Sequence, residues 1–217
     1  MSAAPRVTLL YEDSRSQLRD PGLHRLIAAT VWDRLKGVEA PPARYELERR
    51  LGHRCMKGVD RVLAVIGADL EDIAQGGQHV AAVVDEDVIR DKLGLAPSAT
   101  VADVERAICA RVPVALRDRF GVFVIERNTE SVLRAGSDCA SHTQAERPDE
   151  GLLERALRKD LLARDQLLSR WAKAEAWRVR DCMAKKIPAL GALVDWLLPR
   201  VCARGAATQH GPAQPGA

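Results

Sequence analysis

The sequence predicts an α/β fold with a parallel sheet and a C-terminal helical extension. Two observations predict it: short apolar, β-rich segments that end in acidic residues, and intervening segments whose apolar residues recur at helical spacing. Strands that alternate with helices are typical of a layered parallel sheet. Because crossovers between parallel strands are right-handed, the strand carboxyl ends should meet at one edge, where open α/β sheets bind ligands.

Three segments are predicted as strands. They are residues 6–13, 79–84 and 121–125. The second is the clearest, because its continuous apolar run suits a central strand that is covered on both faces. Each of the three reaches acidic residues at its carboxyl end.

Helices are predicted between and after these strands. The segments with helical spacing are residues 23–35, 45–51, 59–73, 100–111 and a helix through 131–133. Gly37 closes the first of them, and Thr100 with Asp103 has the form of a helix-starting box. Within the third, residues 62–66 could form a strand instead, although the helical spacing favours the helix.

The C-terminal third is predicted to be helical. Residues 153–171 place leucines and Trp171 opposite a basic face that includes Arg164, which predicts one long amphipathic helix. One or two further helices are expected from 178 to 202, interrupted at Pro188. The whole chain then divides into an α/β domain, a helical extension packed on it and a disordered tail. These parts are residues 1–139, 148–202 and 203–217.

Composition limits the function without identifying it. The 33 basic residues face 30 acidic ones, a net charge of +3, so a polyanion would need a local basic patch. The five cysteines have no zinc-site spacing and predict unpaired thiols in a reducing compartment. No leader-like segment and no apolar run of about 20 residues is present. We therefore expect a cytoplasmic protein without membrane contact.

Carboxylates cluster at the predicted strand ends. Glu12 and Asp13 end the first strand, Asp85 and Asp87 follow the second, and Glu126 follows the third. Like charges gathered at one edge repel unless a cation neutralises them, and several oxygen ligands suit Mg²⁺ or Mn²⁺. If the strand continues through Asp85 and Asp87, its period of two points both the same way, with Glu86 opposite.

An early strand that ends in glutamate, followed by an apolar strand that ends in Asp-x-Asp, resembles the TOPRIM domain over roughly residues 6 to 135. That fold occurs in topoisomerases, bacterial primases, ribosomal-RNA maturases and the OLD nucleases of phage defence. The resemblance implies a Rossmann-like core and a Mg²⁺- or Mn²⁺-dependent nuclease acting on DNA or RNA. It implies that Glu12 is the catalytic acid/base and that Asp85 and Asp87 hold the metal. Glu126 or Glu130 would complete a second metal site.

Basic residues near the same edge are candidate phosphate contacts. They are Arg15, Arg90, Lys92 and Arg127. Such contacts position a nucleic acid without reading its sequence. The alternative is that these side chains belong to the solvated surface.

Other interpretations stay open at this stage. Asp13 and Asp87 fit helix capping, and Glu126 fits a surface ion pair with an arginine. The chain would then be a non-catalytic α/β scaffold that binds a partner protein through its C-terminal helices. The Asp85-x-Asp87 motif also resembles the nucleophile motif of haloacid-dehalogenase phosphatases. Because GxxxxGK[ST] is absent, any ATPase activity would come from a separate partner.

Overall fold

Four parallel strands carry the architecture. In the computed structural model, which describes residues 6–12, 22–38, 41–142 and 149–202, the strand order is β2-β1-β3-β4. The strands are β1 (Val7–Tyr11), β2 (Leu51–Cys55), β3 (His79–Asp85) and β4 (Phe120–Ile125). All three strand pairings are parallel, which confirms the predicted α/β class with a Rossmann-like core.

Strand β2 is absent from the sequence-based prediction. Its five residues include Gly52, His53 and Arg54, and among them Leu51 is the buried one. The strand lies at the edge of the sheet, beside β1. An edge strand needs no continuous apolar run, so the apolar pattern that identifies the central strands does not mark this one.

The helices agree with most of the predicted segments. Those before β4 are α1 (Gly22–Leu35), α2 (Arg44–Arg50), α3 (Val59–Ala64), α4 (Leu70–Ile73), α5 (Glu86–Lys92) and α6 (Val101–Cys109). A π-helical segment, Val65–Asp69, joins α3 to α4, so the region 59–73 is helical rather than a strand. The Thr100–Asp103 capping box forms at the start of α6 as expected.

The chain after β4 is helical where it is described. Its helices are α7 (Thr129–Ala140), α8 (Glu150–Leu157), α9 (Leu161–Trp171), α10 (Trp177–Lys186) and α11 (Pro188–Cys202). The prediction of one helix over 153–171 is wrong, because the chain turns between α8 and α9. Lys159 has a φ of 69°, and the Asp160 carboxylate accepts a hydrogen bond from the Ala163 amide (3.1 Å) and so caps α9.

Helices cover both faces of the sheet. Alternate residues of β1 point to opposite sides, as the strand period requires: Leu9 and Tyr11 pack with α1, α7 and the C-terminal helices, and Leu10 packs with α3 to α6. One apolar cluster therefore includes both sheet residues and side chains of the C-terminal helices, such as Trp171 and Leu197. The division of the chain at residues 139 and 148 stays a prediction.

An ion pair and a disulfide are among the links between the C-terminal helices and the rest of the fold. Buried Arg180 of α10 pairs with Asp33 of α1 (Nε–Oδ2 2.7 Å) and donates from Nη1 to the Trp171 carbonyl (2.6 Å). Cys139 of α7 and Cys182 of α10 form a disulfide with a Cα–Cα distance of 5.8 Å. The expectation that all five cysteines stay unpaired is therefore wrong.

The disulfide bears on the predicted compartment. Disulfides are unusual in reducing compartments, and the cytoplasmic location remains a prediction. Across the described ranges, every helix is too short or too polar to cross a membrane.

Replacing Gly136 should test how closely α7 and α9 pack. A Cβ at this position would lie 2.3 Å from a ring carbon of buried Trp171. We expect Gly136→Ala to lower the free energy of unfolding by about 1–3 kcal/mol, through overpacking. Gly67→Ala is the matched control, since a Cβ there meets nothing within 4 Å and alanine favours a helix. Urea denaturation would measure both, and equal stabilities would contradict this packing.

Candidate functional site

The carboxyl ends of β1 and β3 bring two predicted acids together. Tyr11 of β1 pairs with Val83 of β3, so Glu12 follows β1 at the edge where Asp85 ends β3. The Asp85 backbone N–H donates to Glu12 Oε2 at 3.2 Å. Parallel pairing of adjacent strands thus places residues 73 positions apart in direct contact.

A cavity of 240 Å³ opens at this edge. Its polar lining comes from four elements or their ends: Tyr11, Glu12, Asp85, Thr129, Arg164 and Asp165. The last two belong to α9, so the C-terminal helices close the side of the cavity that the strands leave open. Asp165 also accepts a hydrogen bond from the Gly22 amide (2.8 Å), which attaches α9 to the start of α1.

Asp85 is the most perturbed acid of the site. Its Oδ2 accepts the Thr129 amide (3.2 Å), and the Thr129 hydroxyl lies 3.1 and 3.2 Å from the two carboxylate oxygens. Burial, followed by the charges of Glu12 and Asp87, raises the pKa of Asp85 to about 7, against the lowering effect of the Thr129 hydrogen bonds. Close to neutral pH, this carboxyl group therefore exchanges its proton readily.

Asp87 does not point the same way as Asp85, contrary to the prediction from the alternation of side chains along a strand. Helix α5 begins at Glu86, so the strand and its two-residue alternation of side chains stop at Asp85. The exposed Asp87 carboxylate accepts the Val88 amide (2.8 Å) and the Asn128 side chain (3.2 Å). Asp87 lies outside the cavity lining but near enough for its charge to act on Asp85.

The two acids proposed for a second metal lie apart. Glu126 is exposed and lines another cavity, of 400 Å³, together with Arg127 and Lys186. Glu130, in the first turn of α7, forms an ion pair with Arg164 Nη2. The structure does not bring Glu126 into the cavity of Glu12 and Asp85.

Two of the four predicted phosphate contacts are paired with carboxylates in the fold. Arg90 pairs with Glu86, and Lys92 Nζ lies 2.8 Å from Asp60 Oδ2. Arg127 is exposed, with a φ of 65°. Arg15 lies outside the described residues, as does Asp13.

Sequence reasoning missed Thr129 and Arg164. Arg164 was assigned to a solvated helix face, yet its side chain is 12% exposed and its Nε donates to the Ala156 carbonyl (2.9 Å). The break between α8 and α9 reorients α9, so a single-helix prediction misplaces this residue. The sequence does contain a signal for the position of Thr129, because Asn128 is a favoured helix-capping residue. In the structure the Asn128 side chain accepts a hydrogen bond from the Glu130 amide (3.1 Å), so that α7 begins at Thr129.

The side chains at this site determine which metal ion could bind there. Among the residues with described positions, no three or more His, Cys, Asp or Glu side chains form a group that could hold a metal ion. Glu12 and Asp85 provide a pair of oxygen ligands, and Mg²⁺ is commonly bound through one or two carboxylates with water completing its shell. The pair therefore fits a hard, hydrated divalent cation.

No protein-family model matches the chain, and no curated protein matches it. A solved structure, the C-terminal region of the OLD protein of Xanthomonas campestris pv. campestris, aligns with 91% of this chain and 94% of that chain, at 14% identity and a TM-score of 0.39. The fold class rests on the four-stranded parallel sheet of the described residues.

The pKa of Asp85 predicts how stability depends on pH. Because the folded carboxyl group keeps its proton to about pH 7 and the unfolded one loses it near 3.8, the folded state holds the extra proton between these values. The free energy of unfolding should therefore fall as pH rises through this window, by an amount on the order of 4 kcal/mol.

Two variants isolate this effect in urea denaturation with EDTA present. Asp85→Asn should match the wild type near pH 4 and exceed its stability above about pH 7. Asp118→Asn, at an exposed position before β4, should keep the wild-type pH dependence. An unchanged pH profile in Asp85→Asn would show that the pKa of Asp85 is not raised.

Proposed function

We propose that the chain is a TOPRIM-like, divalent-metal-dependent phosphoryl-transfer domain that cleaves DNA or RNA. The observation that carries this proposal is the contact between Glu12 and Asp85 at the carboxyl edge of the sheet, beside a cavity that also contains an arginine. Acid pairs of this kind repel each other, and a bound cation would relieve the repulsion.

Asp85 and Glu12 are the residues that would hold Mg²⁺ or Mn²⁺. The bound ion would supply charge to polarise a phosphate and to activate water. Asp87 is the next candidate ligand, since its charge already acts on Asp85. Glu126 and Glu130 remain candidates for a second ion, although Glu130 would first have to leave Arg164.

The chain's own residues have distinct roles in this proposal. Glu12 would accept a proton from the attacking water or donate one to the leaving oxygen. Thr129 holds the Asp85 carboxylate through its amide and hydroxyl. The Arg164 guanidinium, at the wall of the same cavity, would contact the phosphate oxygens.

The proposed substrate is a nucleic-acid backbone. Arg15, Arg90, Lys92 and Arg127 are its candidate contacts outside the cavity, where they would fix its position. Arg90 and Lys92 would exchange their present carboxylate partners for phosphates. Such exchange costs little for Lys92, because exposed ion pairs contribute about 0–1 kcal/mol. It costs more for Arg90, because the side chains of Arg90 and Glu86 are only 24% and 14% exposed.

A partner-binding scaffold is the second candidate function. It is favoured by the internal hydrogen bonds of the acids, since Asp85 holds Thr129 and Asp87 holds Asn128. The C-terminal helices also expose apolar side chains, with Leu162 at 55% and Trp177 at 48%. These would suit contact with a separate protein, such as an ATPase.

Mn²⁺ calorimetry and nuclease assays on the same variants separate the two functions. Asp85→Asn should abolish Mn²⁺ binding and cleavage, because it removes a charged ligand. Glu12→Gln should weaken Mn²⁺ binding and lower kcat about 10²–10⁴-fold or more, because it removes a metal ligand as well as the general acid/base. Asp118→Asn should behave as the wild type. Equal Mn²⁺ binding by wild type and Asp85→Asn, with no cleavage by either, would leave the scaffold as the better account.

A further inference from the structure

A second cavity, of 470 Å³, lies between α1, α2, β2 and the end of α9. We call it the histidine cavity, after His24 and His53, whose rings line it with centroids 4.4 Å apart. Glu12 and Asp85 are not part of its lining. The two cavities therefore have different linings, although Tyr11 of the first cavity is hydrogen-bonded to His24 of the second.

The rim of the histidine cavity is cationic. Arg25 of α1, Arg44 of α2 and Lys173 after α9 contribute three positive charges from three different elements, against the single carboxylate of Glu48. Arg44 Nε lies 3.3 Å from that carboxylate, with both side chains more than half exposed. Arg25 donates to the neutral Ser169 hydroxyl at 3.3 Å. The balance favours an anionic ligand.

His24 is a buried residue of this wall. Its side chain is 7% exposed, and its Nδ1 lies 3.1 Å from the Tyr11 hydroxyl. Burial raises the pKa of Tyr11, so the phenol keeps its proton and can donate it to Nδ1. The Tyr11 hydroxyl therefore fixes the His24 ring in this wall of the cavity.

The remaining lining is small and apolar. Ala28, Ala29 and Ala172 contribute methyl groups, and Gly52 exposes backbone. A cavity of 470 Å³ is within the usual range for small-molecule sites, about 300–1,000 Å³. Small residues leave room for a flat body, and the imidazole of His53 offers a ring against which it can stack.

We propose that the histidine cavity binds a phosphate monoester with a planar body, of the size of a nucleoside monophosphate. Arg25, Arg44 and Lys173 bind the phosphate, and the alanine-lined floor receives the base. Arginine suits this role because its planar fork matches two phosphate oxygens at once. The site needs neither a metal ion nor the acids of the first cavity.

Calorimetric titration with adenosine monophosphate tests this site. The nucleotide should bind saturably and more tightly than either inorganic phosphate or adenosine. Inorganic phosphate supplies only the anionic group, and adenosine supplies only the planar base. Arg44→Gln with Lys173→Gln should weaken binding about tenfold or more, through loss of charge-assisted hydrogen bonds. Arg49→Gln is the matched control, an exposed arginine of α2 outside the lining.

Three results would overturn the proposal. They are no saturable binding of adenosine monophosphate, equal binding of adenosine, and equal binding by the double variant with an unchanged melting temperature. Asp85→Asn separates this site from the proposed catalytic one. It should bind the nucleotide as the wild type does, and a loss of binding in Asp85→Asn would place the ligand in the first cavity instead.

Discussion

Parallel pairing between β1 and β3 is the constraint on which the site depends. These two strands are neighbours in the sheet although α1, β2 and the helices after it lie between them in sequence. Their register fixes Glu12 beside Asp85, and the backbone of one strand donates to the carboxylate that follows the other. Any shift of this register by one residue would turn the core side chains of β1 to the opposite face, so the buried cluster also holds the acids in place.

Burial is what gives the acid pair its chemical character. Asp85 ends an apolar strand and receives hydrogen bonds from Thr129, while α9 covers the cavity with Arg164. The C-terminal helices are therefore part of the site and not an appendage to it. A carboxyl group in this environment is close to a change of protonation near neutral pH, and a nearby cation would favour its charged form.

Apolar periodicity predicted the sheet class, three of the strands and most helices because buried segments carry a strong pattern. The edge strand β2 carries none, with Leu51 as its buried residue. The orientation of Asp87 depended on where β3 ends, a boundary that the acidic run itself does not reveal. The turn at Lys159 places Arg164 at the site. The packing of α7 on α10 brings Cys139 and Cys182 within reach of a disulfide. Local pattern carries no information on such long-range contacts.

The central claim is that Glu12 and Asp85 jointly hold a divalent cation. Crystals of the protein soaked in Mn²⁺ and measured at the manganese absorption edge would test it most directly. The account predicts an anomalous peak at coordination distance from oxygens of both carboxylates, with water in the remaining positions. The account would be contradicted if manganese bound at full occupancy elsewhere and no peak lay beside Glu12. In that case the Asp85 carboxylate would still be held by Thr129.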